Sequence, residues 1–178
     1  RAIRDFGKPV IAAVEGGAAG AGVSMALACD MLVVARDAFF SVAYVKVGLT
    51  PDGGATAFLS EFVSRQVLTE MCLTGESVPA ERLHALGAVN RLTKRGAALA
   101  EAIALAERVA TGPLNASARI KSLCRQAHRA TLEEQLELEA TYMVQAQADA
   151  EAAEGIGAFL AKRPTDFLAL RRRKPDAS

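Results

Sequence analysis

The stretch from Gly16 to Asp30, Gly-Gly-Ala-Ala-Gly-Ala-Gly-Val-Ser-Met-Ala-Leu-Ala-Cys-Asp, constrains this chain more than any other. The apolar run Pro9-Val10-Ile11-Ala12-Ala13-Val14 delivers the backbone into it. Small residues then allow a tight turn and a close approach of backbone to something else. Val23-Ser24-Met25-Ala26-Leu27-Ala28 continues as good helix-forming sequence. A strand, a glycine turn and a helix start gather backbone N–H groups that lack intrahelical partners, and such groups stabilise an anion.

The surrounding pattern sets the fold class. Pro9 to Val14 is short and apolar throughout, which predicts a strand buried on both faces. Asp30 to Ala35 predicts a second, so strand, helix and strand make a parallel crossover. Phe39 to Val42 reads as a third short strand. Gly48 to Thr56 is a second glycine-rich segment, a shaped loop in which Pro51 sets φ and Gly53 and Gly54 permit positive φ. It leads into a helix with Phe58, Leu59 and Phe62 on one side, then a helix from Ser64 to about Leu73 ended by Thr74-Gly75. Pro79 to Leu86 has an early Pro and a following Gly87, the end signals of a short helix. Val89 to Leu92 reads as an edge strand. From Ala97 onward the chain is helical, with Leu99, Ile103, Ala106 and Val109, and likewise Leu132, Leu136, Ala140 and Met143, recurring at helical spacing. Glu151 to Lys162 is the last expected helix. The resulting division is a βα core over residues 1–95 and a helical region over residues 96–178.

Bulk properties exclude several function classes. With 178 residues the chain can bury a substantial core. Net charge is +1, which argues against an electrostatic nucleic-acid binder. The basic run Arg171-Arg172-Arg173-Lys174 reads as a solvated tail. No apolar run is long enough to span a bilayer, so no membrane role is expected. Cys29, Cys72 and Cys124 have no metal-ligand spacing and predict reduced thiols in a cytoplasmic protein with no bound metal.

Familiar motifs fail on spacing. The glycines at 17, 20 and 22 run opposite to a dinucleotide fingerprint, and Val23 stands where a P-loop needs lysine. Gly22-Val23-Ser24-Met25-Ala26 is one residue from the hydrolase elbow, but a long segment separates it from its strand. His84 and His128, the candidate bases, lie in helix-like sequence and receive no role.

Read together, Lys8 to Gly16, the glycine turn and Leu27-Ala28-Cys29-Asp30 resemble the enoyl-CoA hydratase/isomerase (crotonase) superfamily. The likeness continues through Phe40-Ser41, Val47 to Gly54, Leu73 to Glu76, Leu86 to Asn90, Gly112-Pro113 and Glu154 to Arg163. It covers nearly the whole chain in order. The resemblance implies an α/β fold, a crotonase-like ββα spiral core with a helical C-terminal region. It also implies coenzyme A thioester substrates, no separate cofactor, and assembly as a homotrimer or hexamer.

Family members polarise the thioester carbonyl with two backbone N–H groups, and matching the motif puts one of them at Ala21, beside Gly20. The other is expected upstream of this chain, whose start lacks an initiating Met and whose N-terminal strands are expected to be missing. The hydratase glutamates match Ser24 and Tyr44, neither of which is an acid, so two-glutamate hydration is disfavoured. Asp52 matches the lone acid of some enoyl-CoA isomerases and of the ring-modifying isomerases of phenylacetate breakdown. An acid there would move a proton between C2 and C4 of an unsaturated acyl-CoA.

Ala21, Val42, Ala43, Tyr44 and Val47 are expected pocket walls, and Tyr44 is read as wall rather than acid. Phe159 and Lys162 resemble the pair that reaches a neighbouring subunit's coenzyme A. Asp next to Pro and Gly is otherwise a turn-former, Ser24 a small packed residue, Phe159 a core aromatic and Lys162 a solvated cation. The expected function is enoyl-CoA isomerisation. The alternatives are a hydratase by family label with other or weak acyl-CoA activity, and a non-catalytic acyl-CoA binder.

Overall fold

The computed structural model describes residues 1–172, so Arg173 and Lys174 of the basic run lie outside the described residues. The chain divides into two compact units, Arg1–Ala106 and a second beginning at Glu107.

The first unit opens with a short helix, α1 (Ala2–Asp5), and is built on two small sheets. In the first sheet, β1 (Ile11–Val14), β3 (Met31–Ala35) and β6 (Arg91–Thr93) are all parallel, with β3 in the centre. The expected crossover is present: β1 pairs with β3 from Ile11↔Met31 to Val14↔Val34. Leu32, Val33, Val34 and Ala35 are all buried, as a strand covered on both faces requires. Side chains also tie this sheet. Asp30 accepts a hydrogen bond from the Val10 N–H (2.7 Å) and Asn90 one from the Leu32 N–H (2.7 Å). The edge strand lies slightly later than Val89 to Leu92, because Val89 is core and the ladder starts at Arg91.

The second sheet corrects the sequence reading. Gly17–Ala19, expected as turn, forms strand β2, parallel to β4 (Phe39–Ser41), and β4 pairs antiparallel with β5 (Ser77–Pro79). Three residues of Gly and Ala carry no apolar period; the strand exists because β4 supplies its ladder. Gly17 faces the Phe39 ring so closely that an added Cβ would lie 2.7 Å from it.

Between the sheets run α2 (Ala21–Leu27), the 3-10 turn Ala43–Val47, α3 (Ala55–Leu59), α4 (Arg65–Thr74) and α5 (Ala80–Ala85). Phe62, expected on the face of α3, falls beyond its end. α4 begins where expected, capped by Ser64 Oγ accepting the Val67 N–H, and stops at Gly75 with φ 61°. Val23, Leu27, Leu32, Val34, Phe40, Val42, Leu59, Met71 and Leu83 form one continuous core. Glu15, from the strand motif, accepts N–H bonds from Gly96 (2.7 Å) and Ala98 (2.6 Å), capping α6 (Ala98–Ala110). The buried stripe of α6 is Ala98, Ala102 and Leu105, whereas Leu99 and Ile103 are exposed.

The second unit contains α7 (Leu114–Gln126), α8 (Leu132–Gln147), α9 (Ala150–Leu160) and α10 (Phe167–Arg172), the last unpredicted. Thr131 and Glu134 form a reciprocal capping box at the start of α8. Leu132, Leu136, Ala140 and Met143, which recur at helical spacing on α8, are exposed. Among the described residues no helix is long and apolar enough to cross a membrane.

Candidate active site

The glycine turn, the 3-10 turn and the loop before α3 converge in the first unit. Gly20 caps α2 at φ 51°, ψ −124°, a conformation that strongly favours glycine, and its N–H donates to the Ser41 carbonyl (2.9 Å). That places Ala21 at the first position of α2, where the N–H has no partner four residues back. Ser24 lies three residues further along the same helix face and is buried.

The 3-10 turn follows β4 directly and carries Tyr44. An added Cβ on Gly20 would sit 3.9 Å from the Tyr44 Cζ, so the phenol lies against the glycine turn. Gly48, at φ 73°, then reverses the chain, and Pro51 leads to Asp52. Gly53 and Gly54 follow with φ of 62° and 95°. At Gly53 a Cβ would meet Ser24 Cβ at 3.0 Å, so the second loop presses directly on α2.

Two hydrogen bonds close the arrangement. Ser24 Oγ donates to the Asp52 main-chain carbonyl (2.9 Å), and Tyr44 Oη donates to Asp52 Oδ1 (2.6 Å). The bond to Asp52 is the largest cause, and loss of hydration the next, of a Tyr44 pKa above the usual 10; the Ser24 hydroxyl pulls the other way. Tyr44 is therefore a neutral donor at physiological pH. Asp52 itself is solvent-exposed. A carboxylate held at one oxygen, close to a helix start, has the parts needed to take a proton beside a developing oxyanion.

The remaining predicted residues separate. Ala43 is half-buried on the side of the turn that meets Gly75, and Val47 is 72% exposed at its end. Val42, expected as a pocket wall, is instead wholly buried in the core. Phe159 and Lys162 belong to the second unit. Phe159 is 81% exposed at the end of α9 and so is not a core aromatic, while Lys162 adopts φ 51° and bonds back to the Phe159 carbonyl (3.1 Å). His84 is occupied structurally, its Nδ1 lying 2.7 Å from the Val89 carbonyl. A hollow of about 820 Å³ lined by Gln126, Arg129, Glu133 and Glu137, also in the second unit, holds none of the predicted site residues.

Sequence reasoning missed that Ser24 and Tyr44 both bond Asp52. The available signal was Gly48 between Tyr44 and Asp52, a reversal that folds the two back on each other.

Comparison with known proteins identifies the family. Residues 1–169 match the family model described as enoyl-CoA hydratase/isomerase. The chain is 38% identical over 167 residues to the 1,2-epoxyphenylacetyl-CoA isomerase of Escherichia coli K12, covering 94% of this chain and 64% of that protein. It is 34% identical to the 2,3-dehydroadipyl-CoA hydratase of the same organism, covering 93% and 65%. Among solved structures, an enoyl-CoA hydratase from Polaromonas sp. JS666 superposes with a TM-score of 0.90 at 45% identity, covering 93% of this chain and 64% of that one. The chain thus spans just under two thirds of the length of these relatives. Their fold is the expected α/β crotonase type, and by both sequence and structure this chain belongs to the enoyl-CoA hydratase/isomerase family.

Proposed function

We propose that this protein is an enoyl-CoA isomerase in which Asp52 shuttles a proton and the Ala21 N–H helps to hold the enolate oxygen. The observation that supports it most is the occupancy of the two positions that match hydratase glutamates. Ser24 and Tyr44 stand there, and each bonds Asp52 rather than supplying an acid. The ionised Asp52 takes a proton from C2 of a 3-enoyl-CoA, and the electron pair delocalises over the dienolate onto the thioester oxygen. The same proton returns to C4, giving the 2-enoyl-CoA with no net change in atoms. Gly20, Ala43 and Val47 border the acyl group in this reading, and the coenzyme A thioester is the substrate, with no further cofactor. Phe159 and Lys162 meet coenzyme A across a subunit boundary of a homotrimer or hexamer. The cysteine pattern supports a cytoplasmic setting.

A second reading, hydration of a 2-enoyl-CoA, is favoured by the hydratase names among the relatives. One experiment separates the two. Full-length protein is supplied in parallel with a 3-enoyl-CoA, following formation of the conjugated thioester, and with a 2-enoyl-CoA, following its loss. Isomerisation is expected to dominate, and Asp52→Asn is expected to lower it about 10²- to 10⁴-fold. Rapid hydration that survives Asp52→Asn would overturn the isomerase reading.

A further inference from the structure

We infer that Tyr44 and Ser24 are positioning residues for Asp52: the phenol fixes one carboxylate oxygen and the serine fixes the main chain behind it, leaving the second oxygen to carry the proton. This rests on the isomerase reading above. A proton shuttle between two carbons of one substrate works best when a single basic oxygen is held in one orientation, because a freely rotating carboxylate spends much of its time misaligned. Asp52 stands exposed on a loop, between a proline and two glycines, where backbone and side chain would otherwise be mobile.

The structure removes that freedom at two points. Ser24 Oγ holds the Asp52 carbonyl at 2.9 Å from a buried site on α2, and Gly53 seats directly on Ser24. Tyr44 Oη holds Oδ1 at 2.6 Å, a short bond of the charge-assisted kind. Among the described residues Oδ2 makes no hydrogen bond. Tyr44 is itself held on a turn fixed by β4 before it and by Gly48 after it. The groups that meet here are Tyr44, Asp52 and the neutral Ser24; Lys46, on the same turn, directs its side chain toward Gly75. The positions that carry acids in a two-glutamate enzyme are here given over to holding one acid.

The test uses the full-length protein with a 3-enoyl-CoA. Tyr44→Phe is expected to lower kcat roughly tenfold to hundredfold with KM little changed. Ser24→Ala is expected to lower kcat up to about tenfold. A second readout needs no turnover. Tyrosinate absorbance is titrated with and without Asp52→Asn, and the difference reports the tyrosine that bonds Asp52. Its titration is expected above the usual range and to fall back when Asp52→Asn is added.

If Asp52→Asn abolishes turnover while Tyr44→Phe keeps wild-type kcat, the positioning role is wrong and the isomerase reading stands. A tyrosinate titration indifferent to Asp52→Asn also overturns it. If Asp52→Asn leaves turnover intact, the isomerase reading falls and this inference with it. Should Tyr44→Phe fail to fold, the titration and Ser24→Ala decide.

Discussion

The two units of this chain bury their apolar residues very differently. In the first, Val33, Val34, Phe40, Val42, Leu59 and Leu83 are fully withdrawn from solvent, and the strands and helices around them share one core. In the second, Ala158 alone is fully buried among the described residues, while Leu132, Leu136, Met143, Val144, Ile156, Phe159 and Leu160 are all more than half exposed. Apolar surface on this scale is costly in water and marks a surface meant to be covered. The first unit therefore holds the packed core and the candidate site, and the second leaves apolar helix faces uncovered.

The largest test of that contrast lies in the core of the first unit. Phe40→Ala is expected to cost about 3–5 kcal/mol, measured by denaturant unfolding, because the surrounding strands cannot collapse into the space. A cost near that of a surface change would show that this core is loosely packed. Next is Glu15→Ala, which frees the Gly96 and Ala98 N–H groups at the start of α6 and is expected to cost about 1–2 kcal/mol in the same assay.

A smaller intrinsic effect is expected at Leu136, where replacement by Ala should change the stability of an isolated subunit by no more than about 0.5 kcal/mol. In the assembled protein the same change is expected to make the melting temperature more dependent on concentration. Light scattering with Leu136→Glu and Met143→Glu together should then show smaller particles. Unaltered particle size would mean that the α8 face is not the interface.

The subtlest test is pH. Glu154 accepts hydrogen bonds from Arg163 and the Asp166 N–H, with Arg163 the larger cause, and its pKa falls from 4.5 to about 2. A lowered folded-state pKa contributes stability that is complete above 4.5 and is lost as pH falls toward 2. Glu154→Gln should therefore flatten the acid side of the stability profile within that window. An unchanged acid slope would show the pair to be too exposed to matter.

The parts of the fold legible in advance were those coded by neighbours in sequence. The β1–β3 crossover announced itself by two apolar runs, α4 by Ser64 and Gly75, and α5 by its proline and glycine. β2 and β5 did not, because three-residue strands hold no period of their own and depend on ladders to β4. The apolar stripes of α6 and α8 show a related limit: helical spacing identifies an apolar face but not what, if anything, covers it. At the site, Ala21, Ser24, Tyr44 and Asp52 were each singled out from the chain, but the roles given to Ser24 and Tyr44 were bland.

Sequence order alone was enough to establish the family and the α/β class, because the motifs recur in order over almost the entire chain and local backbone preferences act within a few residues. It also raised the expectation that Ser24 and Tyr44 stand at the positions matching the hydratase glutamates. The folded molecule was needed to bring Ser24, Tyr44 and Asp52 to one point. Hydrogen bonds across 28 and 8 residues depend on how α2, the 3-10 turn and the second loop close on a shared core. No local propensity encodes that closure.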